Sequence, residues 1–338
     1  MESTAELALG VGGESIGRPH LALIDAAALD SLLADADRQS GDRGSHVLLQ
    51  VLFTTDDPAC TASEITETST SCIPGAISIH PSFVESGVDL ERYYPNYRCP
   101  DDGNLLADAE LHSALASIGI SDETEVSVYG HGYLPMMTAC RVAWALMYAG
   151  VPRVWLLDGG FAAWTRHGGA TSAHATVPIA LPSFSTRNQQ HPCCQCVLAT
   201  TTEVKATVAS GGNQGSGSVV DVRRRGEHDG DMETIYQFFT RGGHIPTSVW
   251  IGDWSTLIDT TGKLRSLAAI RQDWVALGLR VDPVEPLIFY CGTGWRSSVA
   301  FCVAHLLGAC AKNYDSGFFG WQHDPSNEVE VCSPAASH

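Results

Sequence analysis

The residues best placed to do chemistry are Cys291 and Arg296, in the stretch LIFYCGTGWRSS near the C-terminus. An apolar, strand-like run ends at Tyr290 and a helical pattern begins near Ser297, so the cysteine opens a short strand-to-helix loop. In such a loop, backbone N–H groups and the positive end of the helix favour the thiolate, the nucleophilic form of cysteine. Arg296 offers a forked cation for an anionic substrate. The alternative interpretation is a buried cysteine at the end of a strand.

The segments around this loop alternate between strand and helix patterns. SVVDV (218–222) and LIFY read as strands, whereas SLAAIRQDWVALGL (266–279) and SSVAFCVAHLLGA (297–309) carry apolar residues at helical spacing. Strands interleaved with helices predict an α/β fold, in which a parallel sheet is flanked by helices on both faces. A further helical pattern covers residues 23–37.

The chain also contains an internal duplication. Three pairs of similar segments occur in the same order, namely SCIPGAISI and GHIPTSVWI, EVSVYGHG and PLIFYCGTG, and VWLLDGGFAAW and KNYDSGFFGW. In the second pair, Gly130 stands where the later copy has Cys291. Two copies of one unit are therefore predicted, and only the second could do thiol chemistry.

The loop CGTGWR, the paired D-[GS]-G-F-x-x-W segments, GHIP and VVDVR together resemble the tandem-domain rhodanese sulfurtransferases. The resemblance implies two rhodanese-like domains: a catalytically silent one over residues 1–175, a linker over 176–198 and a catalytic one over 199–338. It also implies that Cys291 carries a persulfide, with no metal and no other cofactor.

The same resemblance predicts the remaining site residues. Loop residues after the cysteine would hold the substrate, and Arg141 of the first copy would reach its anion across the domain interface; the loop residues are Gly292, Thr293, Gly294, Trp295 and Arg296. Asp221 is assigned to organising the loop backbone, and His244 of GHIP is assigned a structural role.

The spacing and composition of the loop bear on the substrate. Cysteine-dependent phosphatases use C-x5-R, whereas Cys291 and Arg296 form the tighter C-x4-R, which suits a terminal sulfur better than a phosphoryl group. CGTG matches mercaptopyruvate-specific relatives, but Trp295 departs from them, and their Asp and His from the first copy are matched by Gln50 and Cys72. Thiosulfate, polysulfide and mercaptopyruvate therefore all stay open as donors, with a thiol or cyanide as acceptor.

CGTGWR also resembles the loop of the rhodanese-type enzyme that makes ergothioneine by placing sulfur on an imidazole carbon. There, a tyrosine of the catalytic domain supplies an acid. The insertion over 226–243 holds Tyr236, which could fill that role, or could simply anchor a surface loop. An imidazole is therefore a third possible acceptor.

Composition limits the other functional classes. A net charge of −18 disfavours nucleic acid and anionic membranes as partners, and no apolar run reaches the ~20 residues of a membrane span. No secretory signal is visible, so a cytoplasmic location is expected.

Cys193, Cys194 and Cys196 form a cluster without a second pair at metal-ligand spacing, which argues against zinc there. A non-catalytic persulfide carrier that docks on a partner protein remains the alternative to an enzyme.

Overall fold

A computed structural model describes residues 20–38, 46–54, 71–87, 103–184, 194–212, 217–236 and 238–332. The first half of these residues contains one parallel sheet of five strands in the order β1-β5-β4-β2-β3. Its strands are β1 (His20–Ile24), β2 (His46–Phe53), β3 (Ile77–Ile79), β4 (Glu125–Gly132) and β5 (Arg153–Leu157).

The second sheet repeats this arrangement. It is parallel, in the order β7-β6-β8-β9, with strands β6 (Ser218–Asp221), β7 (Val249–Trp250), β8 (Leu287–Tyr290) and β9 (Ala311–Asn313). Leu198 makes a parallel bridge to Asn313, in the place that β1 occupies beside β5. The two sheets therefore share one strand order, the arrangement expected of two copies of one unit.

Helices cover both faces of the sheets, as predicted. The first half has α1 (Ala26–Arg38), α2 (Asp108–Ser117), α3 (Pro135–Tyr148) and α4 (Gly160–His167). The second has α5 (Cys194–Val197), α6 (Thr201–Ala209), α7 (Arg225–Asp229), α8 (Leu267–Ala276), α9 (Trp295–Leu306) and α10 (Gly317–His323). Short 3₁₀ turns cover Pro81–Val84 and Trp254–Leu257.

Alternating side chains explain why each sheet is covered twice. In β2, Leu48 packs in one buried cluster with Phe161 of α4, whereas Leu49 packs in another with Trp144 of α3. Among the described helices, none has the length and apolarity needed to cross a bilayer.

The two halves meet along α3 and α9, whose residues are almost entirely buried in a core that both halves share. Cys140 and Cys302 lie at this contact, where the Cys302 thiol donates to the Cys140 carbonyl at 3.8 Å. Both cysteines are packing residues of the domain interface.

Candidate active site

Cys291 lies directly after β8, at the entrance to α9, and its side chain is buried at 1% exposure. The Phe318 N–H donates to the Cys291 carbonyl at 2.8 Å, and the Phe319 N–H donates to the Gly292 carbonyl at 2.9 Å. The Ser297 hydroxyl contacts the cysteine sulfur at 3.6 Å. The thiol therefore sits in a fixed loop that begins the helix, the place predicted from the sequence.

Two glycines make this compact loop possible. Gly294, at φ 81°, precedes α9, and a Cβ there would lie 2.4 Å from the Asp315 carboxylate. Gly317 of the repeated D-[GS]-G-F motif has φ 56°, and its Cβ would lie 2.8 Å from the Cys291 carbonyl oxygen. The glycine of this motif therefore leaves space for the backbone of the Cys291 loop, because a larger residue would clash with that backbone. Thr293 is partly exposed between the two ends of the loop.

Arg296 lies beside the thiol, but its fork is occupied. Its two terminal nitrogens donate to Glu227 of α7 at 2.6 and 2.8 Å, and both residues are buried. Its guanidinium also lies 5.5 Å from the centre of the Tyr236 ring. Burial opposes the charge on Arg296, but Tyr236 and Glu227 outweigh that effect and raise its pKa. In this arrangement Arg296 forms a fixed wall of the site, and its predicted contact with a substrate anion stays a prediction.

Tyr236 also packs against the catalytic loop. A Cβ on Gly292 would lie 2.9 Å from a ring carbon of Tyr236, and the ring stacks on Phe238 with centres 5.2 Å apart. The insertion predicted from the sequence therefore places its tyrosine next to the residue that follows Cys291.

Asp221 organises the base of the loop from the end of β6. It accepts hydrogen bonds from Tyr290 at 2.8 Å, from Arg223 at 2.7 Å and from His228 at 2.9 Å. Burial alone would raise the pKa of Asp221, but Arg223 and the hydrogen bond from His228 hold it well below its ordinary value. Asp221 is therefore an anion that ties the strand before Cys291 to α7.

The first copy has the same framework without the thiol. Tyr129 donates to Gln50 at 2.7 Å and accepts from the Ile73 N–H, as Tyr290 does with Asp221 and the Ile245 N–H. Residues 130–134 separate Tyr129 from α3, whereas residues 291–294 separate Tyr290 from α9, so the first loop is one residue longer.

This longer loop has no room for a cysteine at Gly130. A Cβ there would lie 1.8 Å from the Pro135 carbonyl oxygen, which is a backbone atom that cannot move aside cheaply. We expect Gly130→Cys in a Cys291→Ser background to lower the melting temperature and to take up no sulfur, measured by thermal unfolding and intact-protein mass spectrometry. Sulfur uptake at position 130 in a stably folded variant would contradict this.

A buried charge network joins the two domains beside Cys291. Arg141 of α3 is completely buried and donates to Glu85 at 2.9 Å, to the Gly103 carbonyl at 2.9 Å and to Asp315 of the second half. Trp295 of the loop donates through its indole N–H to the same Glu85. One cation therefore lies between two carboxylates, and the predicted contact of Arg141 with the substrate stays a prediction.

The pKa of Glu85 is strongly changed inside this network. Burial raises the pKa of Glu85 to about 7, Asp315 adds to the rise, and Arg141 offsets only part of it. Because the folded pKa lies above that of the unfolded chain, the native state holds a proton that the unfolded state has lost between about pH 4.5 and pH 7. The contribution of Glu85 to the free energy of unfolding is therefore fully present below about pH 4.5, and it is lost as the pH rises to about 7.

We therefore expect the free energy of unfolding to fall by about 2–3 kcal/mol from the acidic to the neutral end of this range through Glu85. The measurement is urea unfolding at a series of pH values on the wild type and Glu85→Gln, which keeps an acceptor oxygen and cannot titrate. An identical pH slope in the two proteins would show that Glu85 is ionised throughout.

Comparison with known proteins identifies the family of this chain. The rhodanese-like domain model matches residues 62–167 and 200–324, one match in each half. The chain belongs to the rhodanese-like family. The thiosulfate sulfurtransferase YnjE of Escherichia coli is 31% identical over 237 residues, covering 67% of this chain and 51% of YnjE, so the chain spans about half of that relative. The thiosulfate sulfurtransferase of Bos taurus is 26% identical over 264 residues, covering 76% of this chain and 84% of the relative.

Solved structures with this architecture include an ergothioneine biosynthesis enzyme and the enzyme EanB. The anaerobic ergothioneine biosynthesis enzyme from Chlorobium limicola, in complex with its natural substrate trimethyl histidine, superposes with a TM-score of 0.74 at 26% identity, covering 92% of this chain and 70% of that one. A cysteine-persulfide form of the enzyme EanB, in a tetrahedral intermediate state with ergothioneine, superposes with a TM-score of 0.73 at 26% identity, covering 92% and 71%.

The rhodanese fold brings most of the predicted site residues together. The loop, Arg296 and Tyr236 surround Cys291, and Arg141 lies behind Trp295 at the domain interface. Gln50 is buried against Tyr129, and the Cys72 thiol donates to the His174 carbonyl at 3.3 Å, so both belong to the framework of the first copy. Of the cysteine cluster, Cys193 and the side chain of Cys194 lie outside the described residues.

Three acidic residues of the rhodanese site were missed at the sequence level. Glu227, Glu85 and Asp315 are all buried, and they hold Arg296, Trp295 and Arg141. Glu227 and Asp315 had usable signals, because Glu227 lies close to the recognised VVDVR segment and Asp315 begins the repeated D-[GS]-G-F-x-x-W motif. Glu85 lies in an unremarkable stretch of the first copy, and nothing in its neighbourhood marks it.

Proposed function

We propose that this rhodanese-type enzyme moves sulfane sulfur from a small donor to a nucleophilic acceptor through a persulfide on Cys291. The observation that carries the proposal is the position of Cys291 between the end of β8 and the N-terminus of α9, in the copy that has room for a thiol. The helix end and the loop N–H groups favour an anionic sulfur at that point.

The first half-reaction transfers a sulfur atom from the donor to the enzyme. The Cys291 thiolate attacks the outer sulfur of the donor and forms an S–S bond. The bond between that sulfur and the rest of the donor breaks, and its electron pair leaves as sulfite from thiosulfate, as a shorter polysulfide, or as the enolate of pyruvate from mercaptopyruvate. The negative charge that develops on the sulfur is stabilised by fixed loop and helix dipoles, which need no rearrangement during the step.

The second half-reaction transfers this sulfur atom from the enzyme to the acceptor. An acceptor thiolate or cyanide attacks the outer sulfur of the persulfide, and the electron pair of the S–S bond returns to Cys291 as thiolate. The burial of Cys291 favours a small acceptor over a large protein partner, since a docked protein would have to reach a sulfur with 1% exposure. The same burial favours an enzyme over a persulfide carrier.

The test is to incubate the protein separately with thiosulfate, mercaptopyruvate and polysulfide, and to measure its intact mass and the steady-state transfer of sulfur to cyanide. With at least one donor, we expect the protein to gain the mass of one sulfur atom and to lose it when cyanide is added. A protein that gains no sulfur from any of the three donors would contradict the proposal.

A second candidate acceptor is an imidazole, supported by the contact of Tyr236 with Gly292 and by the similarity to the ergothioneine enzymes. In this reaction an imidazole carbon bonds to the outer persulfide sulfur, the S–S bond breaks toward Cys291, and the carbon loses its proton, which balances the proton gained by the thiolate. In this proposal Tyr236 exchanges a proton with the imidazole ring during that step.

Replacement of Tyr236 by phenylalanine separates the two acceptors. We expect Tyr236→Phe to lower the rate of sulfur transfer to trimethyl histidine by about 10²–10³-fold, because a general acid typically contributes this much. Transfer to cyanide should change by less than about threefold, since it needs no acid. The control is Tyr133→Phe, which removes a phenol from the first half; equal losses with both acceptors would show that Tyr236 acts on the loop alone.

A further inference from the structure

A group of metal-ligating side chains lies in the second domain, away from the thiol. Ligand atoms of His228, His244 and Cys332 all lie within 4.8 Å of one another, and this is the one such group of His, Cys, Asp and Glu found among the described residues. His228 and His244 are buried, at 6% and 7% exposure. The reaction proposed for Cys291 uses none of the three.

Both histidines are oriented as metal ligands usually are. The Nδ1 of His244 lies 2.8 Å from the His228 carbonyl oxygen, and a carbonyl can only accept, so Nδ1 carries the proton. The Nδ1 of His228 lies 2.9 Å from a carboxylate oxygen of Asp221, which fixes its proton in the same way. With the proton of each ring on Nδ1, Nε2 is the atom left to bind a metal ion, the arrangement by which outer groups hold a ligating histidine.

A carboxylate lies beside the second ring nitrogen of His244. The Nε2 lies 3.4 Å from a carboxylate oxygen of Glu330, which also accepts from the Thr247 N–H at 3.3 Å. Two acceptors at this distance repel each other unless a proton or a metal ion lies between them. Glu330 is held there by backbone hydrogen bonds to His244 in both directions, at 2.8 and 3.0 Å, and the same segment brings Cys332 alongside.

We propose that His228, His244 and Cys332 bind one Zn²⁺ ion, with a water molecule as the fourth ligand. Two imidazoles, one thiolate and one water form a donor set that zinc accepts in tetrahedral geometry, at about 2.0–2.3 Å from each protein ligand. Such bonds place ligand atoms about 3.3–3.8 Å apart, so the side chains need to close by about 1 Å. The imidazole rings now stack with centres 3.9 Å apart and planes 12° from parallel, so the two rings must tilt apart for both lone pairs to meet one ion.

The ion would join three parts of the catalytic domain: α7, the GHIP segment and the C-terminal strand-like stretch. Since α7 also carries Glu227, which holds Arg296, the site would stabilise the wall of the catalytic loop from behind. The sequence gives no signal for this group, because its members lie far apart in the chain and match no ligand motif.

The experiment uses the full chain in a Cys291→Ser background, so that the reactive thiol cannot bind metal. After treatment with a chelator, Zn²⁺ is titrated in competition with a chromophoric chelator, and Co²⁺ is titrated as a spectroscopic probe. We expect one Zn²⁺ per chain, a thiolate-to-Co²⁺ charge-transfer band, and a rise in melting temperature with Zn²⁺. Cys332→Ser, a partly exposed position near the chain end, should weaken binding by at least about tenfold and remove that band.

Two control variants make the result specific. Cys310→Ser removes another partly buried thiol, and Cys196→Ser removes a member of the separate cysteine cluster; both should bind Zn²⁺ as the parent does. The proposal is overturned if the parent binds no Zn²⁺, if Cys332→Ser weakens binding by less than tenfold, or if binding is lost in Cys196→Ser instead.

Discussion

Replacement of Cys291 by serine is expected to abolish sulfur uptake and to lower the rate of sulfur transfer by at least about 10⁴-fold. A serine hydroxyl at this position is far less nucleophilic than a thiolate, and it cannot form a persulfide. The change removes one polarisable atom from a buried site, in contact with Ser297, and should leave the fold intact. Intact mass after incubation with donor, together with transfer to cyanide, measures both effects.

The matched control is Cys310→Ser, which removes a thiol of the same domain at the end of the segment that follows α9. It should keep the sulfur uptake and the transfer rate of the wild type. If the sulfur gained by the wild type is also gained by Cys291→Ser, another cysteine is the carrier, and the cluster of Cys193, Cys194 and Cys196 would be the next to examine.

The second large effect concerns stability. We expect Arg141→Met to lower the free energy of unfolding by about 3–5 kcal/mol, because it leaves Glu85 and Asp315 buried together without their cation. The loss should also loosen the contact between the two domains, since Arg141 belongs to the first and Asp315 to the second. Urea unfolding of wild type and variant gives the difference.

Arg153→Met provides the comparison, because Arg153 forms an ion pair with Glu125 at 3.1 Å in which the two side chains are 48% and 38% exposed. That variant should lose no more than about 1 kcal/mol. Equal losses in the free energy of unfolding would show that the buried network stabilises the protein no more than an exposed ion pair does. Measuring the KM for thiosulfate, at a temperature where Arg141→Met is still folded, tests separately whether Arg141 also contacts the donor.

Local patterns carried much of the prediction. The helix predicted over 297–309 is Trp295–Leu306, and the one predicted over 266–279 is Leu267–Ala276, because helical spacing of apolar residues is visible within a few turns. The helix predicted over 23–37 is Ala26–Arg38. Strand β1 comes directly before it and pairs with β5, so this segment belongs to the first domain. The domain boundaries at 175 and 199 stay predictions.

Long-range contacts explain what local patterns could not show. Trp295, which departs from the mercaptopyruvate-specific relatives, donates to Glu85 across the domain interface, 210 residues away in the chain. Arg296, read as a free cation for the substrate, is held by Glu227, 69 residues away. A sequence shows which residues carry charge, but the partner of a buried charge depends on how the sheets and helices dock.

The sequence by itself determined that this protein is a duplicated α/β chain whose second copy alone carries a thiol after a central strand, because strand, glycine turn and helix are neighbours in the chain. Only the tertiary structure decided which charges are already paired around that thiol, why Gly130 has no room for a cysteine, and that two histidines and a cysteine converge behind α7. These features arise from packing between segments far apart in sequence, where the burial of each group selects its partners.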